Sequence, residues 1–216
     1  MAQSTFLDFA RAHLPSPPAR VLDVGCGQRR GQVALAVDGY DVLGIDPVAP
    51  QGDRFRRIRL EDLEPDEGPF DAVVASHSLH HIRDLGQALD RVVGLLRPGG
   101  ALVLDEHGWD LADEETLDWL YNQRRTLAAA GQGEAPASLE ALRDEWAAQH
   151  VGLHGFEALR SEVDARFDER AFVRAPFFYR LLGGVATEVL EQALIDAGAI
   201  QALGFCYAGS ARVLEG

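Results

Sequence analysis

The chain has 216 residues, 47% of them apolar, a formal net charge of −14 at pH 7 and a pI near 4.8. This acidic balance disfavours non-specific binding to DNA, RNA or an anionic membrane, so neither a nucleic-acid nor a membrane partner is expected. All 20 side chains counted as lysine or arginine are arginine, which excludes pyridoxal Schiff-base and P-loop lysine chemistry.

The length suits one domain, residues 1–216, able to carry an inserted cap. No run approaches the roughly 18 apolar residues that span a membrane. The N-terminus, MAQSTFLDFARAHL, lacks the basic and apolar regions of a secretory signal, so a cytoplasmic location is expected. Cys26 and Cys206 make no disulfide framework and read as reduced thiols.

Ser4 is placed to cap a first helix, with Phe6, Leu7, Phe9, Ala10 and Leu14 on one apolar face; Pro15, Pro17 and Pro18 end it. That helix is expected to pack on the sheet edge or to cover the ligand. Arg20 to Val24 reads as a buried strand, Gly25-Cys26-Gly27 as a tight turn, Gly31 to Val37 as a helix, and Tyr40 to Ile45 as a second strand ending in Asp46. Such a unit holds a nucleotide-like ligand at the carboxyl edge of a parallel sheet, where the acid is placed to accept from a ribose diol. A nicotinamide fingerprint would require glycine three residues after Gly27, and that position is Arg30.

After the loop 47–53, Phe55 to Leu60 reads as an arginine-rich edge strand, and residues 61–65 as an acidic loop. Ala72 to Ala75 is a fourth strand, with residues 76–81 at its carboxyl end. Leu85 to Leu96 is an amphipathic helix, Arg97-Pro98-Gly99-Gly100 a turn, and Ala101 to Leu104 a fifth strand ending in Asp105 and Glu106. From Leu111 to Leu159 the pattern is helical, broken at 131–136, with Ser138 as the next cap. Val163 to Val173 is read as a strand, Thr187 to Ala197 as a helix and Ala202 to Leu214 as the last strand. The alternation implies an α/β fold. The parts are an N-terminal helix (1–19), a ligand-binding core (20–106), a helical cap or substrate region (107–162) and a completion of the sheet (163–216).

Three stretches together resemble a known family: Val21-Leu22-Asp23-Val24-Gly25-Cys26-Gly27; Phe70-Asp71-Ala72-Val73-Val74 leading into Leu79-His80-His81; and Leu95-Leu96-Arg97-Pro98-Gly99-Gly100 leading into Leu102-Val103-Leu104. The chain is similar to the class I S-adenosylmethionine-dependent methyltransferases of the small-molecule type, in the methyltransferase type 11 and ubiquinone-biosynthesis-like branch. The resemblance covers residues 20–106. It implies a Rossmann-like, seven-stranded, mostly parallel sheet with helices on both faces and a helical cap after strand 5. It also implies S-adenosyl-L-methionine as cofactor, S-adenosyl-L-homocysteine as product, and methyl transfer to an O, N or C nucleophile of a small molecule.

Carried over by position, the resemblance assigns Asp23, Gly25, Cys26 and Gly27 to the amino-acid end of the cofactor, and Asp46 with Pro47 to the ribose. Glu61 and Asp62 fall beside the adenine, with Asp62 the preferred contact, and Ser76 and His77 beside the methyl. The departure is Arg29, where the family commonly has glycine. Arg29 or Arg30 has two readings, a fork onto the cofactor carboxylate or a solvated first helical turn. The departure keeps an alternative open, a cofactor-binding relative without methyl transfer.

His77, Glu106 and His107 are the candidate catalytic groups. His77, His80 and His81 with Asp105, Glu106 and His107 match no defined ligand spacing, so no metal is expected. Trp109, Tyr121 and Tyr179 read as an aromatic pocket or as packing, and Arg124-Arg125 as an acid-binding pair or a solvated face. Phe177-Phe178-Tyr179 reads as a dimer contact or as buried core. The partner is a small-molecule substrate, and the chain is a monomer or homodimer.

Overall fold

The computed structural model describes residues 2–28 and 35–212. Seven strands form one sheet: β1 (Arg20–Val24), β2 (Asp41–Ile45), β3 (Phe55–Arg56), β4 (Phe70–Ser76), β5 (Leu96–His107), β6 (Phe167–Ala175) and β7 (Gly204–Ala211). Their order is β3-β2-β1-β4-β5-β7-β6. Strands β1 to β5 pair in parallel, and β7 runs antiparallel to both β5 and β6. The expected seven-stranded, mostly parallel α/β sheet is present.

The helices are α1 (Ala2–His13), α2 (Leu85–Leu95), α3 (Glu114–Ala129), α4 (Leu139–Gln149), α5 (Phe156–Asp164) and α6 (Val185–Asp196). Side chains alternate across the strands, so each face gets its own core. On one face Leu22, Ile45, Val73, Leu102 and Leu104 pack under α2 and α5, which supply Leu89, Val92, Phe156 and Leu159. On the other, Val21, Val42, Val74, Val103 and Ala208 meet Ala10 and Leu14 of α1 and its following turn. The first helix therefore covers a sheet face rather than the sheet edge. Leu117, Leu120, Leu142, Trp146 and Phe178 form a third core, which fixes helices α3 and α4, both following β5, to the segment before α6.

Several boundaries differ from the sequence expectation. Helix α1 already includes Ser4, so Ser4 is not its cap. The third strand is only Phe55–Arg56 at the sheet edge, because Leu60 turns inward as a buried residue of a 3-10 turn, Leu60–Asp62. Arg97 to Gly100 is a bulge inside β5: Phe70 pairs with Leu96 and Ala72 with Ala101, so the intervening residues loop out of register. The segment read as one strand from Val163 is helix to Asp164 and strand from Phe167. The helix read from Gly31 to Val37 falls partly outside the described residues, at 31–34; residues 35–37 are helical.

The chain leaves β1 toward β2 on one side and β4 toward β5 on the other. This topological switch point opens a crevice beyond the carboxyl ends of β1 and β4. Gly25 and Ser78 meet there. A β-carbon on Gly25 would lie 2.2 Å from that of Ser78, and the φ of Gly25 is +77°, so only glycine closes this turn.

Candidate active site

A cleft of about 370 Å³ lies at this switch point, within the size range of small-molecule sites. Gly25, Asp46 and Pro47 line one wall. Ile58, Leu60 and Glu61 line a second, and His77, Ser78, His81, Ile82 and Arg83 a third. The expected site residues Gly25, Asp46, Pro47, Glu61 and His77 therefore come together. Asp23, Cys26, Gly27, Asp62 and Ser76 stand behind or beside the lining. Arg29 lies outside the described residues. Ile58, Ser78 and Ile82 were not anticipated; they carry no motif of their own, and only their place next to the strand ends could have marked them.

Asp46 already organises the first wall. Its Oδ2 accepts from the Gly27 amide at 3.0 Å and its Oδ1 from the Val48 amide at 2.8 Å. A carboxylate has about four acceptor positions, so both oxygens keep a free lone pair. Burial, and then the negative charge of Asp46, push the Asp23 carboxyl up to about 7. Among the described residues no side-chain hydrogen bond or cation offsets this. Cys26 is held up to about 12 by burial and by the same two acids, so it is a packing thiol rather than a thiolate. Cys206 is free and buried as well.

Glu106 organises the third wall. It is fully buried, its Oε1 accepts from the amides of Ser78 (2.8 Å) and Leu79 (2.7 Å), and its Oε2 lies 2.6 Å from His80 Nδ1. The acid read as a catalytic candidate thus fastens the turn after β4. That turn carries His77 at φ +50°, the one non-glycine residue with positive φ among the described residues. Such conformations are held only where the surroundings over-determine them. The His77 amide donates to the Asp105 carbonyl, and the Ser78 hydroxyl to the Val24 carbonyl, tying the turn to β5 and β1.

His77 Nδ1 lies 3.4 Å from His107 Nδ1, and its Nε2 lies 3.5 Å from Asp105 Oδ2. The same Asp105 oxygen accepts from Ser76 Oγ at 3.0 Å and from Arg180 at 3.2 Å. Burial alone would raise the Asp105 pKa; His77, Arg180 and Ser76 outweigh it and hold the pKa below the usual carboxylate range. His107 is buried, stacked on Phe177 at 4.0 Å, and pushed down to about 2 by burial and the surrounding histidines. His107 therefore stays neutral and His77 is the ring that faces the cleft. Ligand atoms of His77, Glu106 and His107 lie within 4.8 Å of one another, close enough to share one ion. The Glu106 hydrogen bonds already account for this arrangement as an anchored turn.

The remaining candidates fall away from the cleft. Trp109 stacks on His150 and Tyr179 is buried. Arg124 pairs with Glu145 at 2.9 Å, and Arg125 lies over Tyr121. The Phe177-Phe178-Tyr179 run is buried within the chain, and the three backbone amides donate to the buried Glu191 carboxylate.

Residues 3–153 match the family described as a methyltransferase domain. The chain belongs to the class I S-adenosylmethionine-dependent methyltransferases. It is 35% identical over 111 residues to a ubiquinone biosynthesis O-methyltransferase of Xylella fastidiosa, covering 44% of this chain and 45% of that one. The match thus spans under half of that relative's length. A Burkholderia thailandensis 1,6-didemethyltoxoflavin-N1-methyltransferase, solved with bound 1,6-didemethyltoxoflavin and S-adenosylhomocysteine, superposes with a TM-score of 0.57 at 18% identity, over 98% of this chain and 77% of that one. The [4+2]-cyclase SpnF superposes with a TM-score of 0.55 at 16% identity, over 98% and 81%. These structural likenesses show a shared fold. Among the described residues no helix is long and apolar enough to cross a membrane.

Two outcomes follow from the site's electrostatics. The raised Asp23 pKa makes folding less favourable once the unfolded carboxyl ionises: its contribution is intact below about pH 4 and is lost as pH rises to about 7. Asp23→Asn should gain stability over the wild type with rising pH, by up to about 4 kcal/mol at pH 8, in urea unfolding curves across that range. Glu106→Gln weakens charge-assisted bonds to buried amides, and should lower stability by about 1–3 kcal/mol in the same assay at pH 7.

Proposed function

We propose that this protein is an S-adenosylmethionine-dependent methyltransferase acting on an O, N or C nucleophile of a small molecule. The observation that carries the reading is the pairing of Asp46 and Asp23 across the glycine turn at the switch-point cleft. The residues present fit the cofactor. Asp46 keeps lone pairs for a ribose diol. Asp23, lifted to about 7 by burial and by the charge of Asp46, suits the ammonium of the amino-acid end, and a cation there brings its pKa back down. Ile58 and Ile82 offer apolar surface for the adenine, with Glu61 at its rim.

When bound, S-adenosylmethionine supplies a sulfonium methyl already activated for displacement. The task left to the chain is alignment, which can supply about 7–11 kcal/mol. In this reading the Glu106-anchored turn sets the position of His77 and Ser78 against the cleft. His77 lines the cleft with its ring nitrogens turned to Asp105 and neutral His107, so in this reading it orients the acceptor. Glu106 and His107, both read as catalytic from sequence, are assigned positioning roles.

A second reading keeps the cofactor without methyl transfer. The likeness to a cyclase supports it, because it shows that this architecture serves more than one chemistry.

Asp46→Asn keeps one acceptor oxygen and removes the charge. It should weaken S-adenosylhomocysteine binding about 10–100-fold in isothermal titration, roughly 1.4–2.7 kcal/mol. An unchanged dissociation constant removes Asp46 from the ribose site.

A further inference from the structure

The turn Phe178–Arg180 is built as firmly as the turn after β4, and by the same device. Glu191 is fully buried; its Oε1 accepts from the amides of Phe177 (2.7 Å) and Phe178 (2.8 Å), and its Oε2 from that of Tyr179 (2.7 Å). A carboxylate that gathers three successive amides fixes where the following side chain emerges. That side chain is Arg180. Its guanidinium reaches Asp105 Oδ2, the oxygen that also faces His77, and it lies over the Tyr179 ring at 5.1 Å.

Arg180 is thus one carboxylate oxygen away from the ring at the end of the cleft. Its side chain remains 31% exposed while Asp105 beneath it is 9% exposed. A guanidinium has five donors in a planar fork. One contacts Asp105, and no other protein acceptor engages the Arg180 guanidinium among the described residues. The remaining edge matches a carboxylate or a similar oxyacid in geometry and charge.

Resting on the methyltransferase reading above, we propose that Arg180 selects the acceptor: the substrate is a small molecule bearing a carboxylate or equivalent acidic oxygen, which docks on Arg180 with its nucleophile toward His77. Glu191 is the positioning residue that presents Arg180. In a chain of net charge −14, a partly exposed cation across Asp105 from His77 favours the approach of an anion.

The test is binding selectivity on protein saturated with S-adenosylhomocysteine. Isothermal titration compares 4-hydroxybenzoate and 3-hydroxypropionate, each with its uncharged methyl ester. The wild type should bind at least one acid about 10-fold or more tighter than its ester. Arg180→Gln should abolish that difference while leaving the S-adenosylhomocysteine dissociation constant within about twofold; Arg180→Lys should keep part of it. Glu191→Gln should reduce the preference without touching cofactor affinity, which a general loss of folding would not do. Equal binding of acid and ester, no saturable binding of either acid, or a preference that survives in Arg180→Gln overturns the proposal. Failure of S-adenosylhomocysteine itself to bind the wild type counts against the cofactor reading instead, so the two failures are distinct.

Discussion

The site depends on one buried carboxylate. Glu106, at the end of β5, holds the amides of Ser78 and Leu79 and the ring of His80. Removing it would leave two buried N–H groups and an imidazole without a partner, which is why such a group persists despite the cost of burying a charge. Everything on the third wall of the cleft follows from that anchor. Ser78 is pressed against Gly25, His77 is held in a left-handed conformation, and the turn stays closed over the end of β4.

The same solution recurs at Glu191, on the other side of His77. Two loops, each fixed by a glutamate collecting successive amides, converge where Phe177 stacks on His107 and lies 5.9 Å from the His77 ring. Rigid placement of this kind suits a reaction whose electrophile needs no further activation, because the remaining barrier is one of geometry. It also explains why the acids at the end of β5 divide their work. Alternation along a strand sends Asp105 and Glu106 to opposite sides, one toward Arg180 and His77 and the other under the turn.

Much of the core was legible in the sequence because it rests on local rules. The glycine turn, the acid ending β2 and the alternation of strands and helices are short-range signals, and they led to the sheet and to the Gly25, Asp46 and His77 cluster. What escaped is non-local. Glu106 reads as a free acid at a strand end; only the register of β5 against β4 shows that its oxygens are taken by Ser78 and Leu79. Glu191 sits in an ordinary helix pattern, and nothing nearby in sequence announces three amides 12 to 14 residues upstream. The Arg97–Gly100 segment has turn residues and still belongs to a strand, because its neighbours on both sides pair with β4. Likewise Asp62 is one residue from Glu61 in the 3-10 turn, yet only Glu61 lines the cleft.

The central claim is that the switch-point cleft is where the cofactor binds. Hydrogen–deuterium exchange with and without S-adenosylhomocysteine tests it most directly, since it reports which amides a ligand protects. The account predicts slower exchange confined to the turn 25–27, the Asp46–Val48 loop, residues 58–61 and the turn 77–83. Protection that leaves those amides unchanged and appears in helices α3 and α4 would contradict it.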